Sequence, residues 1–241
     1  MSPVLHAVSR RIYGLFFGIT FIAVIIPTIC LLAVTPGLRN RRAIVQKAAA
    51  LILFVTGVTP RVSGYENLPA ERCIVVANHA SNLDGIILTA VLPPRFSFVI
   101  KHEMSRVPLA GFLLRRIGSE FVDRFDLQRS AIDARRIFQA AATDQSMAFF
   151  PEGTFRGEPG LRRFRNGAFA AAIRGHLMLV PVVIRGSRDM LPANRRLPVP
   201  ALLEVIIKPA IGPGREPSPR DLMQACRHSI LEDLNEPDTA Q

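Results

Sequence analysis

The chain has 241 residues, 49% of them hydrophobic and 20% charged. A chain of this length can bury a substantial core, and it suits one domain or one domain with an appendage. Its 30 Lys and Arg exceed its 19 Asp and Glu, so its net charge is +11 and we expect an anionic membrane surface or a phosphorylated substrate as partner. The absence of Trp and the presence of only two Tyr argue against single-stranded nucleic acid, which is bound largely by aromatic stacking.

The chain opens with an apolar stretch that is long enough to cross a membrane. No charged residue occurs between Ile12 and Leu38, and a spanning helix needs about 20 apolar residues. A second apolar segment, residues 43–59, suits an interfacial or re-entrant helix better, because its uncharged part begins only at Ala48. We predict that residues 1–59 form membrane-associated helices, as one span or a re-entrant pair; a removed leader is the alternative.

From residue 60 onward, short apolar runs alternate with helical patterns. The runs predict strands at residues 73–77, 96–100, 120–122, 147–150, 179–184 and 203–208. The longest helical pattern covers residues 126–143, and a closing helix is predicted at 220–236. Pro181 should place its strand at a sheet edge, or lie among the first residues of that strand. This alternation predicts an α/β fold, a mostly parallel sheet flanked by helices, in a domain covering residues 60–241.

The predicted strand at 73–77 is followed by Asn-His, and an aspartate follows the histidine five residues later. Reactive groups of α/β sheets lie beyond the carboxyl ends of the strands. If a helix begins near Ser81, the carboxylate of Asp84 can return to one imidazole nitrogen of His79 and leave the other nitrogen free as a base. The alternative is a buried histidine bonded to the backbone, with Asp84 serving only as a helix cap.

Two further strand ends carry charged side chains. GSEFVDR, residues 118–124, ends in Asp123 and Arg124, where a guanidinium suits bidentate phosphate binding. An ordinary surface ion pair is the alternative. Lys101 ends the strand that begins at Phe96, either as a ligand-binding group or as a solvated charge.

A third block, FFPEGTFRG at residues 149–157, presents a carboxylate, a glycine, a hydroxyl and an arginine after a buried strand. Glycine allows the backbone to approach a ligand closely. The residues that carry these groups are Glu152, Gly153, Thr154 and Arg156. Three arginines shortly downstream also suit an anionic headgroup surface.

The sequence predicts neither a metal nor a cofactor. Cys30, Cys73 and Cys226 lie far apart, which indicates structural roles in a reducing compartment. No P-loop or other nucleotide fingerprint occurs.

Four blocks in this order, NHASNLD, GSEFVDR, FPEGTFR and VPVVIRG, resemble those of the glycerolipid acyltransferase family, which includes 1-acylglycerol-3-phosphate O-acyltransferases. The resemblance covers roughly residues 60–210, and N-terminal membrane-associated helices are also typical of the family. One departure concerns the third block. Many members have an arginine directly after FPEGT, whereas this chain has Phe155 there and Arg156 next.

The resemblance implies that His79 is the general base for an acceptor hydroxyl and that Asp84 orients it. The hydroxyl oxygen then attacks the thioester of acyl-CoA or acyl-acyl-carrier protein directly, without an acyl-enzyme. The resemblance also implies that the acceptor is bound by residues of the second and third blocks, with Lys101 as an addition: Lys101, Arg124, Glu152, Gly153, Thr154 and Arg156.

We therefore expect a membrane-bound enzyme that converts 1-acylglycerol 3-phosphate to phosphatidic acid, at a bacterial inner membrane with the catalytic domain on the cytoplasmic side. Because Phe155 displaces the arginine, the same chemistry on another lysolipid, such as a lyso-ornithine lipid, is a second hypothesis. A thioester hydrolase and a non-catalytic, basic protein that binds membranes or nucleic acid are the remaining alternatives.

Overall fold

A computed structural model describes residues 3–122, 145–212 and 218–240 of the chain. Within these residues a seven-stranded sheet carries helices on both faces. The helix predicted at 126–143 lies outside the described residues.

The strands lie in the sheet in the order β1-β7-β6-β2-β5-β3-β4. Neighbouring strands pair in parallel, except β6 and β7, which are antiparallel. The prediction of a mostly parallel sheet is confirmed, and all six predicted strands are present. The additional strand, β1, has only three residues. The strand bounds are β1 Arg61–Ser63, β2 Cys73–Ala77, β3 Phe96–Lys101, β4 Glu120–Val122, β5 Ser146–Phe149, β6 Met178–Arg185 and β7 Glu204–Ile207.

Two layers of helices cover the sheet. One apolar cluster joins β2 to α1, α2 and α3, and the other joins β2 to α5 and α7. Every residue of β2 is buried, which explains why its sequence is continuously apolar. The helices are α1 Pro3–Val34, α2 Leu38–Val55, α3 Asp84–Val91, α4 Pro108–Arg116, α5 Gly167–Gly175, α6 Ser187–Met190 and α7 Pro219–Leu234, with 3₁₀ turns at Tyr65–Asn67 and His102–Arg106.

Pro181 is the fourth residue of β6, which is an interior strand between β2 and β7. The prediction that this proline lies at an edge or at the start of its strand is therefore wrong. A bulge on the β7 side accommodates the missing N–H. The carbonyl of Pro181 accepts the N–H of Lys208. Leu179, two residues before Pro181, exchanges two backbone hydrogen bonds with Ile211, which is three residues after Lys208, so the β7 side has one extra residue. Regular pairing thus ends where proline has no hydrogen to donate.

Helices α1 and α2 form a hairpin that packs against the α/β core. Phe17 of α1 belongs to the same apolar cluster as β2. The hydroxyl of Tyr13 donates to the Thr56 carbonyl at 3.0 Å, and Arg116 Nε of α4 donates to the Leu32 carbonyl at 3.0 Å. These contacts hold both ends of α1 against the rest of the protein.

The opposite face of α1 is apolar and exposed. Its large side chains recur every three or four residues, as on one side of a helix: Ile12, Leu15, Phe16, Ile19, Ile22 and Ile26. The end of α2 adds Leu51, Phe54 and Val55. By length and composition, the segment Val8–Val34, with a mean hydropathy of 2.6, is the one helix among the described residues that could cross a membrane. Pro27 lies within α1 without ending it.

Candidate active site

The turn after β2 places His79 against Asp84, the first residue of α3. Nδ1 of His79 lies 2.9 Å from Oδ2 of Asp84, and the same oxygen accepts the N–H groups of Ala80 at 2.7 Å and Ser81 at 2.8 Å. Asp84 is fully buried. A carboxylate can only accept hydrogen bonds, so Nδ1 of a neutral His79 must carry the ring proton. The other ring nitrogen, Nε2, then has a free lone pair and can act as a base.

This geometry agrees with the pairing that the sequence spacing predicts. Helix α3 begins at Asp84, and a short turn precedes it, so the helix starts slightly later than the position near Ser81 that the sequence favoured. The side chain of His79 is 18% exposed. A substrate can therefore approach the ring from solvent.

Two phenylalanines pack around the ring of His79. Phe150 stacks on it with ring centroids 4.4 Å apart, and Phe155 meets it edge-on at 4.8 Å. These contacts restrict rotation of the ring and cover part of its surface. No pattern in the sequence indicates that either side chain lies against His79. In the sequence, Phe155 stands out only because it follows FPEGT directly, where many family members have an arginine.

Glu152 connects the turn after β2 to the segment that follows FPEGT. Its Oε1 accepts the His79 N–H at 2.7 Å, and its Oε2 accepts the Arg162 N–H at 2.9 Å. The carboxyl group is only 7% exposed. Burial raises the pKa of Glu152 above its ordinary value, although these two N–H groups act in the opposite direction. Contact between Glu152 and an acceptor hydroxyl stays a prediction.

The structure describes four of the remaining residues that are predicted to bind the acceptor, namely Lys101, Gly153, Thr154 and Arg156. Gly153 has a positive φ of 81° and donates its N–H to the Phe150 carbonyl, which closes a tight turn. Thr154, Arg156 and Lys101 are exposed. Their roles in binding stay predictions, and Arg124 lies outside the described residues.

Asn78 fastens the turn that carries His79 to the end of β6, and Ser81 fastens it to the residue that follows α6. The side-chain amide of Asn78 donates to the Ile184 carbonyl at 2.9 Å and accepts the Ile184 N–H at 2.7 Å. The hydroxyl of Ser81 donates to the Leu191 carbonyl at 2.8 Å. Both side chains are buried and bonded to backbone, so they shape the turn around His79.

The buried cysteines lie in apolar surroundings. Burial raises the pKa of the Cys73 thiol to about 11 and that of the Cys226 thiol to about 12. A thiol nucleophile needs the opposite shift, so the structural roles expected for these two residues fit their environment.

Comparison with known proteins places this site in a family. A family model described as Acyltransferase matches residues 59–185, more than half of the chain. The probable 1-acyl-sn-glycerol-3-phosphate acyltransferase of Mycoplasma pneumoniae is 31% identical over 168 residues, which are 67% of this chain and 62% of that protein. The 1-acyl-sn-glycerol-3-phosphate acyltransferase alpha of Mus musculus is 27% identical over 225 residues, 88% of this chain and 76% of that protein.

The fold is shared with a solved structure, the 1-acyl-sn-glycerophosphate (LPA) acyltransferase PlsC from Thermotoga maritima. The TM-score is 0.75 at 19% identity, covering 92% of this chain and 97% of that chain. Among the sequence relatives, the matched region spans 62% of the Mycoplasma pneumoniae protein and 46% of the Saccharomyces cerevisiae protein. The matched family model covers the His79–Asp84 pair and the FPEGT turn, and this chain belongs to the Acyltransferase family.

Proposed function

We propose that the protein transfers a fatty acyl group from a thioester to the free hydroxyl of a lysophospholipid, with 1-acylglycerol 3-phosphate as acceptor and phosphatidic acid as product. The observation that carries this proposal is the His79–Asp84 pair, whose geometry leaves Nε2 free in a partly exposed ring. Relatives at 31% and 27% identity bear the name of this activity, which supports the choice of acceptor.

In the proposed reaction, His79 Nε2 takes the proton of the acceptor hydroxyl as the oxygen attacks the thioester carbonyl. Asp84 stabilises the resulting imidazolium through Nδ1. The tetrahedral intermediate expels the thiolate, which receives the proton from His79 and leaves as a thiol. General-base assistance contributes about 10²- to 10⁴-fold, so positioning and oxyanion stabilisation supply the remaining acceleration.

Acyl transfer by the purified protein in lipid vesicles tests this proposal, with a labelled acyl thioester and 1-acylglycerol 3-phosphate. His79→Ala should remove transfer, because no other group on the turn replaces the base. His228→Ala is the matched control, since this histidine lies on α7 with an 81% exposed side chain. Full activity of His79→Ala would overturn the mechanism. Release of free fatty acid without acceptor would indicate a hydrolase instead.

Membrane attachment through the α1–α2 hairpin is part of the proposal. The inner face of α1 is held by contacts along the protein, whereas its outer face is apolar and exposed. A helix held in this way fits insertion into one leaflet of the bilayer, and the cytoplasmic side of a bacterial inner membrane is the proposed location. The exposed side chains would exchange water for lipid tails there.

Phe155 favours a second candidate acceptor. It occupies the position directly after FPEGT and contacts the ring of His79, where many family members have an arginine. An apolar contact at this point suits a lysolipid without a phosphate, such as a lyso-ornithine lipid. Comparing acceptors with and without the phosphate, in the wild type and in Arg124→Ala, separates the two candidates. A loss confined to the phosphorylated acceptor supports 1-acylglycerol 3-phosphate.

A further inference from the structure

An open cavity of about 510 Å³ lies beside Glu152. The segment between FPEGT and α5 provides most of its lining, including Arg162, Arg163 and Arg165. Phe164 and Met223, which belong to the apolar cluster beneath α5 and α7, provide apolar surface. Four of the seven lining residues are charged, and three of these are arginines, so the cavity suits an anionic ligand rather than an apolar one.

Glu152 also lines the cavity, but its carboxyl oxygens accept the backbone N–H groups of His79 and Arg162 and do not pair with the guanidinium groups of Arg163 and Arg165. Among the described residues, the side chains of Arg163 and Arg165 make no hydrogen bond or ion pair. Two nearby arginines differ in this respect, since Arg188 pairs with Glu236 and Arg227 pairs with Asp238. The cavity therefore holds cationic side chains that are available to an anion.

The segment that carries these arginines is fixed at several points. The N–H of Arg162 donates to Glu152, and the N–H of Arg165 donates to the Pro151 carbonyl at 2.9 Å. From α7, Arg227 Nη2 donates to the Leu161 carbonyl at 2.7 Å. Backbone positions held in this way keep the arginines at the cavity, which lowers the entropic cost of binding a ligand.

The cavity and the apolar hairpin belong to opposite faces of the sheet. Phe164 and Met223 lie in the cluster under α5 and α7, whereas α1 and α2 pack against the other face. If the hairpin inserts into lipid, the cavity opens toward water. The acceptor of the proposed reaction is a membrane lipid, but its thioester donor arrives from the aqueous phase.

We propose that the cavity binds the phosphate-bearing end of acyl-CoA, its 3′-phospho-ADP group. The pantetheine arm then passes Glu152, whose Oε1 bonds to the backbone of His79, and brings the thioester to the catalytic ring. Arginines suit this ligand because one guanidinium group can donate two parallel hydrogen bonds to two oxygens of a phosphate. A cavity fits a compact polyanion better than the broad acidic surface of a carrier protein. This inference rests on the proposed function for the identity of the donor.

Direct binding and steady-state kinetics test the proposal together. Binding of CoA itself to the purified full chain requires no acceptor and no turnover. The double variant Arg163→Glu/Arg165→Glu should weaken CoA binding, and should raise the KM for acyl-CoA, by about tenfold or more, the usual scale for loss of a charge-assisted hydrogen bond. The KM for the acceptor should not change. For the wild type, acyl-3′-dephospho-CoA should be a poorer donor than acyl-CoA. The double substitution should raise the KM for the dephosphorylated donor less than it raises the KM for acyl-CoA.

Arg61→Glu is the control, because Arg61 is exposed in β1 at one edge of the sheet and undergoes the same type of substitution, at one position rather than two. Circular dichroism and thermal unfolding check that the variants fold. An increase only in the KM for the acceptor would assign the cavity to the lysolipid. An increase only in the KM for acyl-acyl-carrier protein would assign it to a protein donor. Unchanged CoA binding would also overturn the inference. Arginine-dependent CoA binding without acyl transfer would sustain the site while refuting the proposed function.

Discussion

Asp84 uses its two carboxylate oxygens unequally. Oδ2 meets the ring of His79 and two backbone N–H groups, whereas Oδ1 is buried without a hydrogen-bond partner among the described residues. In Asp84→Asn, the amide oxygen can take the place of Oδ2 and keep all three bonds. The NH₂ group then falls at the unpartnered position. This substitution removes the charge while it preserves the geometry of the turn.

We expect Asp84→Asn to fold and to lose about 10²-fold or more in kcat/KM, because an uncharged partner stabilises the imidazolium poorly. Acyl-transfer kinetics, with circular dichroism as the check on folding, measure this effect. Asp84→Ala removes both orientation and charge and should be at least as impaired. Wild-type activity of Asp84→Asn would show that the charge of Asp84 does not assist the reaction.

Glu152 makes stability depend on pH in an unusual direction for a carboxylate. Its folded pKa is raised, so the folded chain holds the proton up to a higher pH than the unfolded chain, where the ordinary value is 4.5. The resulting stabilisation is complete below the unfolded pKa and is lost as pH rises through the folded pKa.

We therefore expect the free energy of unfolding of the wild type, relative to Glu152→Gln, to decrease as pH rises from about 4 toward neutrality. Chemical denaturation of both proteins across this range measures the difference. Glutamine has one hydrogen-bond acceptor fewer than glutamate at every pH. This loss shifts the difference in free energy of unfolding by a constant and does not change how that difference varies with pH. A difference that increases with pH would contradict the raised pKa.

At the scale of elements, the basic N-terminal part of α2 has a structural role that its sequence did not reveal. Arg42 is buried, and its guanidinium donates to the carbonyls of Ile117 and Arg95 at 2.8 and 3.1 Å and to the side chain of Gln145 at 2.9 Å. The sequence alone shows only that arginines follow the apolar segment. The side chain instead fastens α2 to the end of α4 and the start of β3.

Arg42→Ala should lower the thermal stability markedly, because it leaves several buried carbonyl groups without a donor, at a cost of about 1–3 kcal/mol for each. Arg39→Ala is the control from the same end of α2, since Arg39 is exposed, and it should change the melting temperature little. Thermal unfolding in detergent or lipid measures both variants. Equal melting temperatures for the two would contradict the role assigned to Arg42.

The strands were the elements that the sequence predicted best, because fully buried strands produce short, continuous apolar runs. The error at Pro181 arose because the accommodating bulge depends on β7, whose pairing with β6 is not encoded near the proline. The His79–Asp84 pair was also predictable from a local pattern, because the two residues are only five positions apart and a single turn joins them. The contacts of His79 with Phe150 and Phe155 join segments about 70 positions apart, and no local pattern indicates them.

At the scale of the whole molecule, the exposed apolar face of the hairpin predicts the mode of membrane binding. In the double variant Phe16→Glu/Ile19→Glu, two exposed side chains of α1 become charged without disturbing the inner face of the helix. Each lost apolar contact removes about 1.5–3 kcal/mol of burial in lipid. We expect co-sedimentation with anionic vesicles to fall by about tenfold or more.

Ala225→Glu supplies the control for this variant, because Ala225 is exposed on α7, on the opposite face of the sheet. It adds a negative charge without touching the hairpin and should leave vesicle binding close to that of the wild type. If the double variant binds vesicles as well as the wild type does, another surface of the protein contacts the lipid.

The packing of the hairpin also limits how the enzyme can be simplified. Phe17, Leu53 and Val58 lie in the same cluster as β2 and α3, so the N-terminal helices form one wall of the core that supports the catalytic turn. Deleting residues 1–59 to obtain a water-soluble catalytic fragment would open that wall and expose the apolar side of α3, which begins at Asp84. A soluble version must keep both helices and replace only the outward side chains of α1 and α2 with polar ones.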